Sequence, residues 1–384
     1  FNNVSKLGLM GTDVSRKDTV GANAIGGDWG ISFLNNRLFS NGQIIRSNSN
    51  NNPGQAFRFN LGYLDPVWWS IRFWYGTYDN QFDINDLGFI RRNDMSWAGG
   101  KVEFRKQEPW GNFINNNLDL KYSQDWNGEG LVLERGVEIE QGNLFSNYWR
   151  AGFFGKLFLP AFNDEDIFRD ENAWIYETEL WGYAGPSVST DRRKKVILGA
   201  DIGSGYGKKR GRGYRLNLWT KIKPIEQLNI EINTMEDKSP NYMQWVDIIK
   251  NTNDTVRVYS NSLLITRDIT FRLDWTFTPT LTLQCYAQPF YVNMDYKSFF
   301  RLKKPETMDL EIYDYQNLDN FENPDFRLFN LIGTFVLRWE YHPGSTMYLV
   351  YNFNQNDEYS NSENKWFRDT KNALYFKINY WLKY

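Results

Sequence analysis

The sequence predicts an all-β chain, a transmembrane antiparallel β-barrel of the outer-membrane type with about 18 to 20 strands. Apolar and polar residues alternate with a period of two in many segments, and short turns alternate with longer polar loops. Aromatic residues make up 17% of the chain although its mean hydropathy is only -0.61. Because outer-membrane barrels combine these features, we expect one barrel domain over residues 1–384.

The alternating segments predict the strands. Phe376, Ile378 and Tyr380 face one way near the end of the chain, for example, while Lys377 and Asn379 face the other. The clearest segments are Phe57–Tyr63, Tyr214–Ile222, Leu228–Ile232, Leu263–Phe277, Met347–Phe353 and Leu374–Tyr384. Arg267 is the one residue that breaks the pattern in the fourth of them. Helical periodicity of comparable length is absent from the sequence.

The connections between these segments fall into two kinds. Short turns are expected at Asn35-Asn36, Asp65-Pro66, 109–112, 278–280 and 342–345, and longer polar loops at 47–55, 79–92, 157–171, 293–326 and 355–371. Short periplasmic turns and long external loops are typical of bacterial barrels. Residues 240–261 form either an extra hairpin, which gives about 20 strands, or one long loop, which gives about 18. Both counts are even, so we expect both termini on the periplasmic side.

Composition excludes several other classes of protein. The sequence has no run of roughly 18 apolar residues that would predict a membrane-spanning helix. Cys285 is the single cysteine and His342 the single histidine, so we expect no disulfide framework, no metal site and no cofactor. The net charge of -2 gives no reason to expect a nucleic-acid partner. The chain opens at Phe1 with no signal peptide, so we interpret it as a processed or trimmed product.

Aromatic residues on apolar faces or near strand ends suit the boundary between hydrocarbon and headgroups. The predicted interface aromatics are Trp69, Phe73, Tyr75, Trp174, Trp275, Trp339, Tyr341 and Tyr380. A soluble aromatic core is the alternative, and the asymmetry between short turns and long loops argues against it.

Charged residues of both signs fall on the polar faces, where they would line the lumen of a barrel. The predicted lumen charges are Arg58, Arg72, Arg215, Lys221, Arg272, Asp274, Arg338 and Glu340. They form either a selectivity surface or cross-strand ion pairs that satisfy one another. For any single residue the ion pair is the favoured interpretation.

Five segments resemble the C-terminal barrel of a family of uncharacterised outer-membrane proteins. They are FDINDLGFIRR at 82–92, STDRRK at 189–194, TFTPTLTLQCYAQPF at 276–290, NPDF at 323–326 and RWEYHPGSTMYLV at 338–350. Members of that family usually carry an N-terminal domain like a carbohydrate-binding module. This sequence lacks that domain, and FRDENAW at 168–174 lacks the Arg-Gly-Gly-Pro expected there. The resemblance implies a fold and a membrane location, and it implies no mechanism.

Two polar segments are candidate binding sites. The acidic run at 163–166, continued by Asp170 and Glu171, offers oxygen ligands suited to calcium, but it lacks the spacing of a calcium loop, so a solvated loop is favoured. A basic turn falls on the predicted external side, where it either binds lipopolysaccharide phosphates or is an ordinary solvated turn. Its residues are Lys208, Lys209, Arg210 and Arg212.

Candidate catalytic groups are few, and we expect no enzyme. His342 and Ser345 lie in one tight turn without a third triad member. Glu177 and Glu179 are expected on one strand face, a spacing that any acidic pair two residues apart would meet. The glycines at 203–207 are followed by no helix, so they do not predict a phosphate loop.

Two segments bear on partners and assembly. The loop at 301–326 carries Tyr313, Tyr315 and Phe321, whose presence favours packing, either inward as a plug or outward as a docking surface. The last strand is expected to pair with a first strand near residues 7–13 and to be recognised by barrel-insertion machinery. Its outward residues are Phe376, Ile378, Tyr380, Leu382 and Tyr384.

These patterns leave three hypotheses for function in the bacterial outer membrane, where lipid and lipopolysaccharide are the expected surroundings. The favoured hypothesis is a structural or interaction subunit, or an anchor, of a surface or export complex that includes other envelope proteins. A porin-like channel with a mixed-charge lumen is the alternative. An outer-membrane hydrolase is the most distant of the three.

Overall fold

A computed structural model describes the backbone of most of the chain. The described residues are 5–15, 17, 20–86, 88–165, 175–250, 255–304, 309–318, 321–361 and 363–382, without the side chains of 241 and 242. Two predicted site residues, Trp174 and Tyr384, lie outside these ranges, as do Asp166, Asp170 and Glu171 of the acidic run.

Strands dominate the described residues, and one 3-10 turn at Tyr315–Asn317 is their single helical element. The strands are β1 (Lys6–Val14), β2 (Ala22–Phe33), β3 (Leu38–Ser49), β4 (Asn52–Leu64), β5 (Trp69–Tyr78), β6 (Met95–Lys106), β7 (Phe113–Asn127), β8 (Val132–Phe145), β9 (Arg150–Phe158), β10 (Ala161–Asn163), β11 (Tyr176–Thr178), β12 (Trp181–Ser189), β13 (Val196–Gly207), β14 (Gly211–Ile222), β15 (Leu228–Lys250), β16 (Thr255–Thr278), β17 (Leu281–Lys304), β18 (Asp309–Ile312), β19 (Phe326–His342), β20 (Ser345–Ser360) and β21 (Lys365–Asn379). No helix among the described residues is long and apolar enough to span a membrane.

The strands form one antiparallel sheet of 19 members, as the alternation predicts, while β10 and β11 form a separate two-stranded sheet. In the described part of the chain, β18 has 4 residues and pairs only with the C-terminal end of β17. The other 18 described strands of the sheet follow one another as an antiparallel meander, which we call the main meander. β1 pairs with β2 and β21 pairs with β20. The sheet is not closed, so the predicted pairing of the last strand with the first is not observed.

Contacts group the chain into two compact units. Unit 1 comprises residues 1–144, 153–182 and 305–307, and unit 2 comprises 145–152, 183–304 and 308–384.

In unit 1, β3 and β4 form a hairpin where a longer loop at 47–55 was predicted. Their ladder runs to Ser49 and Asn52, and Asn50 and Asn51 make the turn with φ of 52° and 64°. Positive φ at both central residues is the geometry of a type I′ turn, which asparagine tolerates well. The prediction of a longer loop was wrong because the asparagine-rich composition of this segment marks a tight turn.

In unit 2, several strands continue through segments that were predicted to be loops or, at 240–261, either an extra hairpin or a loop. β15, β16 and β17 have 23, 24 and 24 residues, and the β15–β16 ladder continues through residues 240–261 to the pair Lys250 and Thr255. β17 likewise runs beyond 293 to Lys304. β20 and β21 replace most of the loop predicted at 355–371. Many residues of these segments are polar, and apolar residues such as Val256, Val258 and Phe299 pack into a local core, so no long regular alternation marks the segments as strands.

Candidate functional site

The sheet of unit 2 has an apolar face whose residues line up in rows across the strands. The register aligns one row through Ile230, Leu273, Cys285, Phe335, Tyr351 and Leu374. The next row contains Leu228, Trp275, Leu283, Leu337, Leu349 and Phe376. On β16 the apolar stretch extends from Ile269 to Phe277, roughly nine residues, which suits a tilted transmembrane strand. We call these rows the apolar band.

Six of the predicted interface aromatics in the described residues continue the alternation of apolar residues on their own strands, three in unit 1 and three in unit 2. Trp69, Phe73 and Tyr75 alternate on the apolar side of β5, and Phe73 is exposed. Trp275, Trp339 and Tyr380 are exposed as well. Tyr341 follows Trp339 on the same alternation, and its hydroxyl donates to the carbonyl oxygen of Asn379 at 3.1 Å.

Sequence analysis missed a chain of aromatic contacts on the apolar face of unit 1. The ring of Trp29 lies 6.1 Å from that of Phe57, and Phe57 lies 5.8 Å from Phe59. The contacts continue to Tyr75 and then, at 6.2 Å, to Trp126. Ile25 and Trp29 fall on the same face of β2 in its alternation, so the sequence pattern could have indicated that Trp29, the first ring of this chain, lies on the apolar face.

The opposite face of unit 1, which we call its polar face, carries an ion-pair network. Lys101 Nζ lies 2.6 Å from an Asp119 oxygen, and Lys121 Nζ lies 3.1 Å from Glu138. Lys156 Nζ contacts the same Glu138 at 3.1 Å. The predicted residue Arg58 shares this face, since it alternates with Phe57 and Phe59, and Arg72 lies 5.7 Å from the ring of Phe39. The network makes this face hydrated and mixed in charge.

The polar face of unit 2 holds the other six predicted charges, and each has a polar or aromatic neighbour there. Arg215 pairs with Asp237 at 2.7 Å, and Lys221 pairs with Glu231. Three further contacts are Arg338 with Glu340 at 3.0 Å, Arg272 over the Tyr286 ring at 5.4 Å and Asp274 with Gln284 at 3.3 Å. Of these six residues, Arg215 and Lys221 form cross-strand ion pairs, and Arg338 and Glu340 pair along one strand.

The connection between β5 and β6 folds over the polar face of the β3–β4 hairpin. Phe82 is 1% exposed, and a Cβ on Gly54 would lie 2.3 Å from its backbone. The backbone N–H of Asp83 donates to Ser47 Oγ at 3.2 Å. We call residues 79–94 the covering loop. It is part of the FDINDLGFIRR segment that carries the family resemblance.

The acidic run at 163–166 engages arginines of this covering loop. Arg92 donates two hydrogen bonds of 2.6 Å to the carboxylate of Asp164, and these bonds raise the pKa of the guanidinium. Arg91 pairs with Glu165 at the surface. The two described carboxylates are thus occupied by arginines, and no group of three metal-ligating side chains occurs among the described residues.

Beyond the apolar band, the long strands of unit 2 pack around a small hydrophobic core. Val256, Val258, Phe299 and Tyr315 are buried together, with Phe321 against them. We call this part, residues 240–261 and 294–325, the lobe. Its packing confirms the prediction that the aromatic residues of the 301–326 segment are packed.

A buried hydrogen bond fixes the centre of the lobe. The Tyr315 hydroxyl donates to Asp247 Oδ2 at 3.0 Å, which joins the segment after β18 to β15. Burial together with this carboxylate raises the pKa of Tyr315 to about 12. The rings of Phe299 and Phe321 lie 5.0 Å and 5.4 Å from the Tyr315 ring.

The predicted catalytic groups are occupied elsewhere or separated. Ser345 is buried, and its Oγ accepts the backbone N–H of Trp381 at 2.9 Å. The ring of His342 lies 6.5 Å from that of Tyr380. Glu177 lies in the three-residue strand β11 and Glu179 follows its end, so the expectation that both share one strand face was wrong. The glycines of 203–207 belong to β13, in agreement with the absence of a phosphate loop.

The basic turn and the terminal strand are placed as follows. Lys208, Lys209 and Arg210 form the β13–β14 turn, and Arg212 lies opposite Tyr206 at the start of β14. Phe376 and Ile378 lie on β21. The strand was predicted to continue to Tyr384, but it ends at Asn379, so Tyr380 and Leu382 lie outside it, because the chain leaves the ladder where the backbone N–H of Trp381 donates to Ser345 Oγ.

The chain matches a family of known sequences. The family described as a domain of unknown function, DUF5916, matches residues 1–384. The chain belongs to this family. No curated protein matches the sequence. The predicted resemblance to an uncharacterised family thus holds over the whole chain, while the additional N-terminal domain remains a prediction.

Solved outer-membrane proteins resemble the chain weakly. A mutant of the ferric enterobactin receptor PfeA of Pseudomonas aeruginosa is 8% identical, with a TM-score of 0.49 over 96% of this chain and 72% of the receptor. OmpT of Vibrio cholerae lacking loop L8 is 10% identical, with a TM-score of 0.34 over 98% of this chain and 100% of that protein. In vitro folded OmpT gives 0.29 at 10% identity over 97% and 95% of the two chains.

Proposed function

We propose that this chain is an integral outer-membrane β-barrel that anchors or joins a surface or export complex, with the lobe as the part that contacts a partner. One observation carries the proposal: β15, β16 and β17 run for 23, 24 and 24 residues, whereas a membrane crossing needs about 9 to 11. The remainder of each strand builds a packed structure of its own.

The membrane part of the proposal is supported by the apolar band. Leu, Ile, Phe and Trp side chains on that face are exposed, which a water-soluble sheet would avoid over so wide a surface. Rows from Ile269 to Phe277 on β16 span about 27 Å along the strand, which gives about 21 Å of height at a tilt of about 40°, comparable to the roughly 25 Å apolar band of outer-membrane barrels. We place both termini on the periplasmic side and the lobe outside the cell.

A channel is the second candidate, and the polar face favours it. The network around Glu138 keeps Lys121 and Lys156 in a hydrated surface that would line a lumen once the sheet closes. Paired charges of both signs give such a lumen little preference for anions or cations.

Conductance and partner capture together separate the two candidates. The test variant lacks the lobe, with residues 240–263 and 295–325 each replaced by Asn-Gly, because Ser239 pairs with Leu264 and Met294 with Phe326. The control variant replaces 358–367 by Asn-Gly, since Asp357 pairs with Arg368. Both variants keep the apolar band.

The expected result is a full-length protein that is silent in planar bilayers and co-purifies with a stoichiometric envelope protein. The lobe-less variant should lose this partner while the control variant keeps it. A large steady current through the full-length protein, with no partner dependent on the lobe, would instead establish the channel.

A further inference from the structure

The residue that breaks the alternation of β16 begins a row of charges at the edge of the apolar band. Arg267 lies on the apolar face, next along the strand to Ile269 of the band. Its row across the sheet also contains Glu236, Tyr291, Phe329, Asp357 and Arg368. The adjoining row, farther from the band, contains Lys238, Ile265, Asn293, Arg327, Tyr359 and Trp366. We call these two rows the arginine belt.

Each arginine of the belt is held from a neighbouring strand. Arg267 Nε donates to Glu236 Oε2 at 2.7 Å, and the Tyr214 hydroxyl donates to the other oxygen of that carboxylate at 2.5 Å. The Arg267 side chain nevertheless stays 57% exposed. Its Nε is occupied, and the exposed part of the guanidinium carries the remaining N–H groups.

The other two arginines repeat the arrangement. Arg327 Nε donates to Asn293 Oδ1 at 3.1 Å, and its guanidinium lies 5.0 Å from the Tyr359 ring. Arg368 donates to Asp357 from Nε at 3.0 Å and from one terminal nitrogen at 2.9 Å, and its side chain stays 65% exposed. Along the main meander the three arginines stand on every second strand, β16, β19 and β21, about 10 Å apart across the strands.

The charge of the belt selects the ligand. Four cations, Arg267, Arg327, Arg368 and Lys238, face two carboxylates, Glu236 and Asp357, so the belt carries an excess of positive charge. A planar guanidinium fixed through Nε presents donors that match phosphate oxygens. Its position at the edge of the apolar band is the level at which lipid headgroups lie.

We propose that the arginine belt binds the phosphate groups of a phosphorylated glycolipid of the outer leaflet, with the lipid's acyl chains against the apolar band. This inference rests on the proposed function, because it requires the band to lie in the outer membrane with the lobe outside. The site proposed here for lipopolysaccharide phosphates is on strand residues whose side chains are held in place, and it differs from the site predicted from sequence at the basic turn 208–212.

The test uses the full-length protein folded in detergent and bisphosphorylated lipid A as the probe. The belt variant carries Arg267→Gln, Arg327→Gln and Arg368→Gln, and each single substitution is measured as well, so that the comparison survives if the triple variant fails to fold. The matched control carries Arg58→Gln, Arg272→Gln and Arg338→Gln on the polar face. Dephosphorylated lipid A and phosphatidylglycerol are the reference lipids.

The belt variant should bind bisphosphorylated lipid A about tenfold or more weakly than the wild type, as expected for losing one or two charge-assisted hydrogen bonds. The control should bind as the wild type does, and dephosphorylated lipid A should not distinguish the three proteins. Unchanged binding in the belt variants, or an equal loss in the control, overturns the inference.

Two further outcomes would overturn different parts of the argument. Arginine-dependent binding of phosphatidylglycerol without binding of lipid A would assign the belt to phospholipid and overturn the choice of glycolipid. A wild-type protein that stays monomeric without detergent would overturn the proposed function itself, whatever the lipid results.

Discussion

At the residue scale, a single position decides how closely the covering loop can approach the sheet. Gly54 has no side chain where the backbone of Phe82 crosses β4, and a Cβ there would lie 2.3 Å from that backbone. Because contacts of this length do not occur, any larger residue must displace the loop. Sequence alone placed Gly54 in a loop at 47–55, and it could not show that another loop crosses this position.

We therefore expect Gly54→Ala to release the covering loop. Limited proteolysis should cut residues 79–94 several times faster in this variant, while the rest of the sheet stays protected. Gly11→Ala is the control, because no atom lies within 4 Å of its added Cβ. Equal cleavage of both variants would show that Phe82 does not hold the loop against β4.

Tyr315 gives the lobe a dependence on alkaline pH. Its pKa rises from 10.0 to about 12 in the folded protein. A group with a raised pKa contributes stability that is fully present below its unfolded pKa and is lost as the pH rises through its folded pKa. The lobe should therefore lose stability between pH 10 and about pH 12.

Tyr315→Phe should weaken the lobe by about 1 kcal/mol at neutral pH, through loss of the bond to Asp247. It should also flatten the loss of stability between pH 10 and 12. Hydrogen exchange of β15 and β16 amides beyond the apolar band measures both effects, with Tyr313→Phe as the control. An unchanged alkaline profile in the Tyr315 variant would assign the pH dependence to another group.

At the element scale, strand positions on the apolar band could be predicted from sequence, whereas strand ends could not. Between Ile269 and Phe277 one face meets lipid and the other meets polar groups, so alternation marks the strand. Beyond Arg267 apolar and polar residues no longer alternate regularly, and apolar residues such as Val256 and Val258 pack into the core of the lobe instead of facing lipid. Polar composition therefore suggested loops at 47–55 and 355–371, where the structure has hairpins, and it left 240–261 open between an extra hairpin and a loop.

The covering loop is tied by one sheltered ion pair and one exposed pair. Arg92 and Asp164 are 15% and 7% exposed, whereas Arg91 and Glu165 are 79% and 58% exposed. Breaking a buried pair leaves an uncompensated charge and costs about 3 to 5 kcal/mol, whereas an exposed pair contributes about 0 to 1 kcal/mol. The two neighbouring arginines thus provide a matched comparison. Their pairing with 163–165 could not be predicted from sequence, because no local pattern links segments 72 positions apart.

Arg92→Gln should speed hydrogen exchange in residues 79–94 by at least tenfold, while Arg91→Gln should leave it almost unchanged. Asp164→Asn should resemble Arg92→Gln, and the double variant should be less than additive, since both changes remove one interaction. If the effects of Arg92→Gln and Asp164→Asn add up in the double variant, the two residues stabilise the loop independently.

At the scale of the whole molecule, the alternation predicted the class of fold and the approximate number of strands. The residues after the last strand were predicted to take part in assembly. Tyr380 and Trp381 contact the turn between β19 and β20, through the ring of His342 and through Ser345 Oγ. The same residues are the aromatic end that insertion machinery would read.

Deletion of Tyr380–Tyr384 should block membrane insertion and cause degradation, and Tyr384→Ala should weaken insertion. Ser345→Ala is the control, because it removes the bond to Trp381 and keeps the aromatic residues. Heat-modifiable protein in outer-membrane fractions is the measurement. If the deleted chain reaches normal surface levels, the segment is no assembly signal.

The ladder of β15, β16 and β17 continues past register shifts at Ser239/Tyr242 and Asn261/Ser262, and this continuity has a mechanical consequence. The ladders of backbone hydrogen bonds between these strands run from the apolar band into the lobe, so no flexible linker separates the two. A pull on the lobe along the strand axes loads many bonds in shear at once, and they must yield together, whereas a perpendicular pull would open them one at a time. A tether built in this way transmits force from a bound object to the envelope with little stretch.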